Sequence, residues 1–291
     1  MTVTAPKPID SDMMKEAVRR QWDACAAGWN DKSATIRNWL RDSTDAMLAM
    51  ADIKAGARVL DVAAGAGDQT LDIAQRVGPA GYVLATDFSP AILTFAAKNA
   101  ARAGYANVGT RVADGEALAL MEQNFDAAIC RLGLMFFPDP CKGLRQMLDA
   151  LKPGGKACTM VFSAPEQNPL IGILVSTAFK HAGLPPPNPY QPGGLLSLGK
   201  PGLMDELFTR SGFCHVATTK VSAPFRLPSA AGYLDFVRTS ASPIVQLLSR
   251  LDDARQEAAW ADIADKLDRF NTATGWTGPN ELLLTAGQRP L

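Results

Sequence analysis

Between Ala57 and Phe162 short β-rich runs alternate with helical ones, and nothing else in the 291 residues restricts the fold as much. RVLDV (58–62), YVLATD (82–87), VGTRVAD (108–114), FDAAIC (125–130) and KACTMVF (156–162) read as strands, each ending near polar residues or glycine. Between them, Gln69 to Val77, Pro90 to Arg102 and Pro140 to Leu151 repeat apolar residues at helical spacing. Two of these runs open on proline, whose missing N–H costs nothing at a helix start. Strand–helix–strand repeats require parallel strands, and right-handed crossovers put helices on both faces. The predicted fold is α/β, a Rossmann-like doubly wound sheet.

The remaining chain has a different character. An N-terminal helical cap is expected over 1–50, a core over 51–163, a lid insertion with a helix and the stretch LPPPNPYQPGG over 164–211, and a C-terminal unit over 212–291. In that last unit, 212–227 alternates like a strand and ELLLTAGQR (281–289) is an apolar one, so the two can pair as an antiparallel hairpin interrupted by helices over 229–272. The helical insertions would then form a lid around one sheet.

Lys plus Arg and Asp plus Glu both number 29, so no global positive field exists to hold a nucleic-acid backbone or an anionic membrane. A small-molecule substrate is the expectation, with no nucleic-acid or membrane partner; a homodimer stays open. The five cysteines are odd in number and contain no C-x-x-C pair, which argues against a disulfide framework or a zinc site. No metal is expected. The N-terminal stretch carries charges where a signal peptide needs an apolar run, and Leu170 to Phe179 is about half the length of a spanning helix. A cytoplasmic location is expected.

VLDVAAGAGDQT places Gly65 and Gly67 after a strand and before a helix. Glycine there lets the main chain approach a ligand while the helix N-terminus offers free N–H groups; a tight turn alone would also select glycine. Asp87 ends the next strand, twenty residues after Gly67, where a carboxylate can accept from both ribose hydroxyls of an adenosine. Asp114 ends the third strand and can receive an adenine amine. Three consecutive strand ends point at one adenosine.

VLDVAAGAGDQT, ATDFSPAIL, VADGEALAL, FDAAICRLGLMFFPD and LKPGGKACTMVF, in this order, resemble the motifs of class I S-adenosylmethionine-dependent methyltransferases, with the ubiquinone/menaquinone C-methyltransferase-like branch the nearest in pattern. The resemblance covers roughly residues 57–163. It implies a seven-stranded sheet with its last strand antiparallel, in agreement with the hairpin read above, and S-adenosylmethionine as cofactor. By position, Asp61 and the turn Ala63, Gly65, Gly67 would face the methionine part, Asp87 and Phe88 the ribose and adenine, and Asp114 with Gly115 the adenine edge. The family's first glycine is Ala63 here. After the fourth strand stands Cys130-Arg131-Leu132, unlike the Asn/Asp-Pro-Pro-aromatic pattern of nucleic-acid amino methyltransferases, which disfavours nucleobases.

Other residues admit two readings each. Arg131 can bind a cofactor carboxylate or an anionic substrate group, or form an ion pair. Trp22 and Trp29 share a helix face and can wall the substrate or pack the core. Phe136 and Phe137 can line a substrate pocket or pack under the next helix. Of two histidines, His215 falls at the sheet end away from the cofactor; His181 ends a lid helix and is the candidate catalytic base, with helix capping as its other role. The expected function is methyl transfer from S-adenosylmethionine to an O, N, S or C nucleophile of a mostly apolar small molecule by aligned in-line displacement. A non-catalytic S-adenosylmethionine-binding protein and an NAD(P)-dependent oxidoreductase are the alternatives.

Overall fold

The computed structural model describes residues 11–120, 123–240 and 242–291, with the main chain only at Ser242. The first ten residues of the expected cap lie outside these. In chain order the elements are α1 (Ser11–Asp31), α2 (Ser33–Met50), β1 (Arg58–Val62), α3 (Asp68–Val77), β2 (Tyr82–Asp87), α4 (Pro90–Arg102), β3 (Val108–Val112), β4 (Phe125–Arg131), α5 (Pro140–Ala150) and β5 (Leu151–Phe162). There follow α6 (Pro169–His181), α7 (Leu203–Arg210), β6 (Cys214–Ser222), β7 (Phe225–Leu227), α8 (Ala230–Ser240), α9 (Ser242–Leu248), α10 (Asp253–Leu267), β8 (Asn271–Thr272), β9 (Gly275–Gly278) and β10 (Glu281–Gln288).

Seven strands form one sheet in the order β3-β2-β1-β4-β5-β10-β6. The first five are parallel, and β10 runs antiparallel between β5 and β6. This is the Rossmann-like α/β sheet with an antiparallel last strand. The order reverses between β1 and β4, so the carboxyl ends of β1, β2 and β4 open a crevice beside that switch point, where open α/β sheets take their ligands. Central strands are sealed on both faces: Leu60, Ile129 and Met160 are buried, as covered parallel strands require. The edge strand β6 alternates between half-buried and exposed positions over most of its length.

Local chemistry sets the helix starts around the crevice. Ser89 Oγ accepts from the Ile92 N–H and Pro90 opens α4; Asp139 accepts from the Lys142 N–H and Pro140 opens α5. Two stretches depart from the expected pattern. The third strand stops at Val112 because Asp114 Oδ1 accepts the Glu116 N–H at 2.9 Å and turns the chain there. The alternating stretch 212–227 breaks at Ala223 and Pro224, so that β6 belongs to the main sheet and β7 to a second, three-stranded one of order β7-β9-β8. Helices α8 to α10 lie between β7 and β8, and α8 and α9, with α1, α2 and α6, contribute residues to the walls of the crevice. Among the described residues no helix is long and apolar enough to cross a membrane.

Candidate active site

The turn after β1 carries positive φ at Ala63 (55°), Gly65 (60°) and Gly67 (89°). Gly65 N donates to Asp87 Oδ2 at 2.9 Å and Ser89 N to Asp87 Oδ1 at 2.9 Å, tying the turn to the end of β2. Burial pushes the Asp87 carboxyl up to about 6, against the backbone N–H groups that favour its charge. A Cβ on Gly65 would stand 3.5 Å from Trp29 Nε1, so turn and indole face each other across a slot. Gly67 has a different duty: a Cβ there would come within 3.0 Å of Ala96 in α4, so it permits close helix packing.

Ala63 holds the backbone conformation of the glycine it replaces, and its methyl is accommodated by a glycine elsewhere. A Cβ on Gly133, beyond β4, would fall 2.4 Å from the Ala63 Cβ. The two positions share room for one methyl.

Asp61 is fully buried and spends its carboxylate on Thr70 Oγ1 at 2.6 Å and Gln69 Nε2 at 3.1 Å. Burial raises it to about 6 despite those bonds. Behind it Arg131, also buried, donates to Thr44 Oγ1 at 3.1 Å and lies 4.0 Å from Asp68 Oδ2. Burial lowers the Arg131 pKa, opposed by the Asp68 charge.

On the far side of the crevice Lys15 of α1 bridges Asp114 and Glu116, at 2.7 Å to each. Glu116 in turn accepts the Asp139 N–H at 2.6 Å. Gly115 lies flat against Phe137, where a Cβ would be 2.2 Å from the ring.

The cavity begins at Gly65, Asp87 and Asp114 and continues without interruption into a chamber of aromatic side chains. Trp22 meets Trp29 edge-on with ring centroids 5.3 Å apart, and Phe136 at 5.8 Å. Deeper in, Trp39 stacks on Phe225 at 4.0 Å, and Phe225 meets Tyr233 at 5.1 Å and Phe236 at 5.4 Å. Trp39 Nε1 donates to Ala223 O at 2.7 Å, which fixes the indole plane.

Ala63, Gly65, Asp87, Phe88, Asp114, Gly115, Arg131, Trp22, Trp29, Phe136 and Phe137 all line this one cavity. Asp61, Gly67 and His181 do not. Asp61 is turned under α3 by Thr70 and Gln69, and Gly67 is pressed against α4. His181 Nε2 lies 3.0 Å from Asp262 Oδ2 in a lid cluster with Lys180 and Lys266. Those partners hold the Asp262 carboxyl far below its ordinary range, with Lys266 the strongest influence. His181, the candidate base, is thus held by Asp262 of α10 and does not line the cavity. Sequence reasoning missed Lys15, Gln69, Trp39, Phe225, Tyr233, Phe236 and Asn280, all of which line the cavity. No motif marks them, because they come from six separate segments.

S-adenosylmethionine fits these residues. Asp87 ends β2 and Asp114 follows β3 by two residues, where hydroxyls and an amine can donate, and Gly65, whose positive φ favours glycine, lines the cavity with bare main chain. Arg131 lines the cavity, where its guanidinium can meet the carboxylate of an amino-acid group. Sheet order, turn and strand-end acids together define a class I methyltransferase fold. The chain belongs to the ubiE/COQ5 methyltransferase family, S-adenosylmethionine-dependent enzymes whose model matches residues 33–181.

It is 35% identical over 138 residues to the ubiquinone/menaquinone biosynthesis C-methyltransferase UbiE of Pasteurella multocida, which covers 47% of this chain and 50% of that one. With UbiE of a Marinomonas species it is 31% identical over 180 residues, 60% of this chain and 70% of the relative. The chain thus spans about half the length of the first of these relatives. Among solved structures, YcgJ from Bacillus subtilis superposes with a TM-score of 0.58 at 18% identity, over 86% of this chain and 99% of that one. Phosphoethanolamine N-methyltransferase 2 of Haemonchus contortus, solved with S-adenosylmethionine, gives 0.56 at 17% identity, over 90% and 57%. These two likenesses concern the fold.

Proposed function

We propose that the protein transfers a methyl group from S-adenosylmethionine to a mostly apolar small molecule held in the aromatic chamber. The observation that carries this reading is continuity: the strand-end acids and the aromatic walls belong to one cavity. The cofactor, when bound, supplies an already activated methyl, so the chain's own task is alignment and exclusion of water. Asp87, Asp114, the Gly65 turn and Arg131 hold one end, while Trp39, Phe225 and Phe236 fix the plane of the acceptor.

Among the described residues, the aromatic chamber's walls carry no group suited to strong base catalysis. Tyr233 is buried, and burial pushes its phenol well above the ordinary value, so it stays protonated and acts as a donor. Cys130 is buried beneath the turn with its thiol pushed up to about 12, which leaves it no thiolate. An acceptor that ionises readily, or whose nucleophilic atom is neutral and electron-rich, suits such a site. The test is incubation with S-adenosylmethionine bearing a deuterated methyl and a panel of small aromatic acceptors, followed by mass spectrometry. Labelled product is expected from uncharged members of the panel. Binding of S-adenosylhomocysteine with no methylated product from any of them would favour a non-catalytic binding protein.

A further inference from the structure

Two buried asparagines stand at the point where the lid rejoins the sheet, and they are used differently. The Asn168 carboxamide is fully spent: Nδ2 donates to Ser163 Oγ at 3.1 Å, Ala164 O at 3.2 Å and Glu281 O at 3.1 Å, and Oδ1 accepts the Glu281 N–H at 3.1 Å. That group staples the start of β10 to the end of β5. Asn280, one residue before β10, is 3% exposed and lines the cavity, yet its Nδ2 has no hydrogen-bond partner among the described residues. Its main chain is held, since Asn280 O accepts the Ala223 N–H at 2.8 Å.

A buried amide hydrogen without a partner costs stability, so such a group calls for a reason. Leucine has nearly the same shape and would remove the cost. The surroundings supply the reason. Ala223 pins Asn280 through its N–H and Trp39 through its carbonyl, so Asn280 stands at a fixed offset from the Trp39–Phe225 stack. The nearby cavity lining is apolar: Phe162, Ile171, Leu174, Phe225 and Phe236. Tyr233 and Ser240 also line the cavity, and burial keeps the Tyr233 phenol protonated.

We propose that Asn280 is a specificity-determining residue, whose carboxamide binds an oxygen on an uncharged aromatic acceptor and so sets how the ring lies in the chamber. This rests on the methyl-transfer reading above and adds to it what the acceptor must carry. An ionised acceptor group would meet no counter-charge there, and a pure hydrocarbon would leave the amide unpaired. A ring bearing a hydroxyl or carbonyl meets both conditions. Sites built to pair with such an oxygen reject the analogue that lacks it.

The test uses the full chain saturated with S-adenosylhomocysteine and two probes of equal shape, 1-naphthol and 1-methylnaphthalene, with affinity read from tryptophan fluorescence. Wild type is expected to prefer 1-naphthol about 5- to 30-fold, the usual range for one hydrogen bond in a dry site. Asn280→Leu is expected to abolish that preference while leaving 1-methylnaphthalene unchanged or tighter, and to raise Tm because the orphaned amide is gone. Asn280→Ala, which introduces no new bulk, is expected to lose the preference as well. Equal affinity of wild type for the two probes, as when a trapped water satisfies the amide, would overturn the proposal. So would equal weakening of both probes in both variants. Failure of S-adenosylhomocysteine to bind would instead count against the methyl-transfer reading, so the two failures are separable.

Discussion

Gly65 donates its main-chain N–H to Asp87 Oδ2 at 2.9 Å, so the turn and the carboxylate proposed to hold the cofactor's ribose are one hydrogen-bonded unit. Replacing Asp87 by Ala removes the anchor and releases the turn together. Affinity for S-adenosylhomocysteine is expected to fall by about 1.5–3 kcal/mol, the range for hydrogen bonds to a charged group. Titration calorimetry checks this, and an unchanged Kd would remove Asp87 from the site.

The same burial makes binding sensitive to pH. Asp87 is raised to about 6 and must be ionised to accept from two hydroxyls, so affinity is expected to be flat above about pH 7 and to weaken below the folded pKa, by up to tenfold per pH unit. Stability has the opposite sign. Asp61 and Asp87 hold a proton more tightly when folded than at their ordinary 3.8, so their cost to the fold is complete above about pH 6 and is relieved as pH falls toward 4. Asp61→Asn is therefore expected to flatten part of the stability profile over that window. Calorimetric titrations and denaturant melts between about pH 4 and 8 measure both, and a profile unaltered by Asp61→Asn would refute the assignment.

His181 sits with Asp262 at 3.0 Å in a partly solvated lid cluster. His181→Ala is expected to slow turnover less than about tenfold, whereas a required base contributes about 10²–10⁴-fold. Its cost to stability is expected to be below about 1 kcal/mol, as for ion pairs near solvent. A hundredfold loss of kcat with disappearance of a kinetic pKa would make His181 the base after all.

Ala63 and Gly133 compete for the space of one methyl group. Gly133→Ala is expected to cost about 1–3 kcal/mol by overpacking. Adding Ala63→Gly to it is expected to recover at least half, because that change removes the clashing methyl and relaxes a positive φ. A double-mutant cycle measures the coupling; strict additivity would show that the two do not meet.

Legibility in the sequence followed the range of the interactions. Helix α4 falls where Pro90 and Arg102 bound the apolar repeat, because Ser89 and Pro90 decide its start locally. Asp87 and Asp114 could be found because strand ends in a parallel sheet converge by topology. The three-stranded sheet could not: β7, β8 and β9 are three, two and four residues long, too short for periodicity to register. The pairing of His181 with Asp262 was equally illegible, since only the docking of α10 brings the two together. Asn280 and Tyr233 carry no local signal, because only the folded chain brings them to the same cavity.

The pairing of Ala223 N with Asn280 O at 2.8 Å brings together the two points where the chain leaves and re-enters the neighbourhood of the main sheet. Everything between them, with α8 to α10 and the small sheet, is a loop whose mouth is already closed by the scaffold. Loop closure cost grows only slowly with length once the ends are fixed, so this segment can lengthen, shorten or be exchanged without asking β6 or β10 to move. Descent with variation can then remodel what the chamber accepts while the methyl-donor half is inherited intact. Grafting residues 224–279 from one family member to another is accordingly a short route to a new acceptor range.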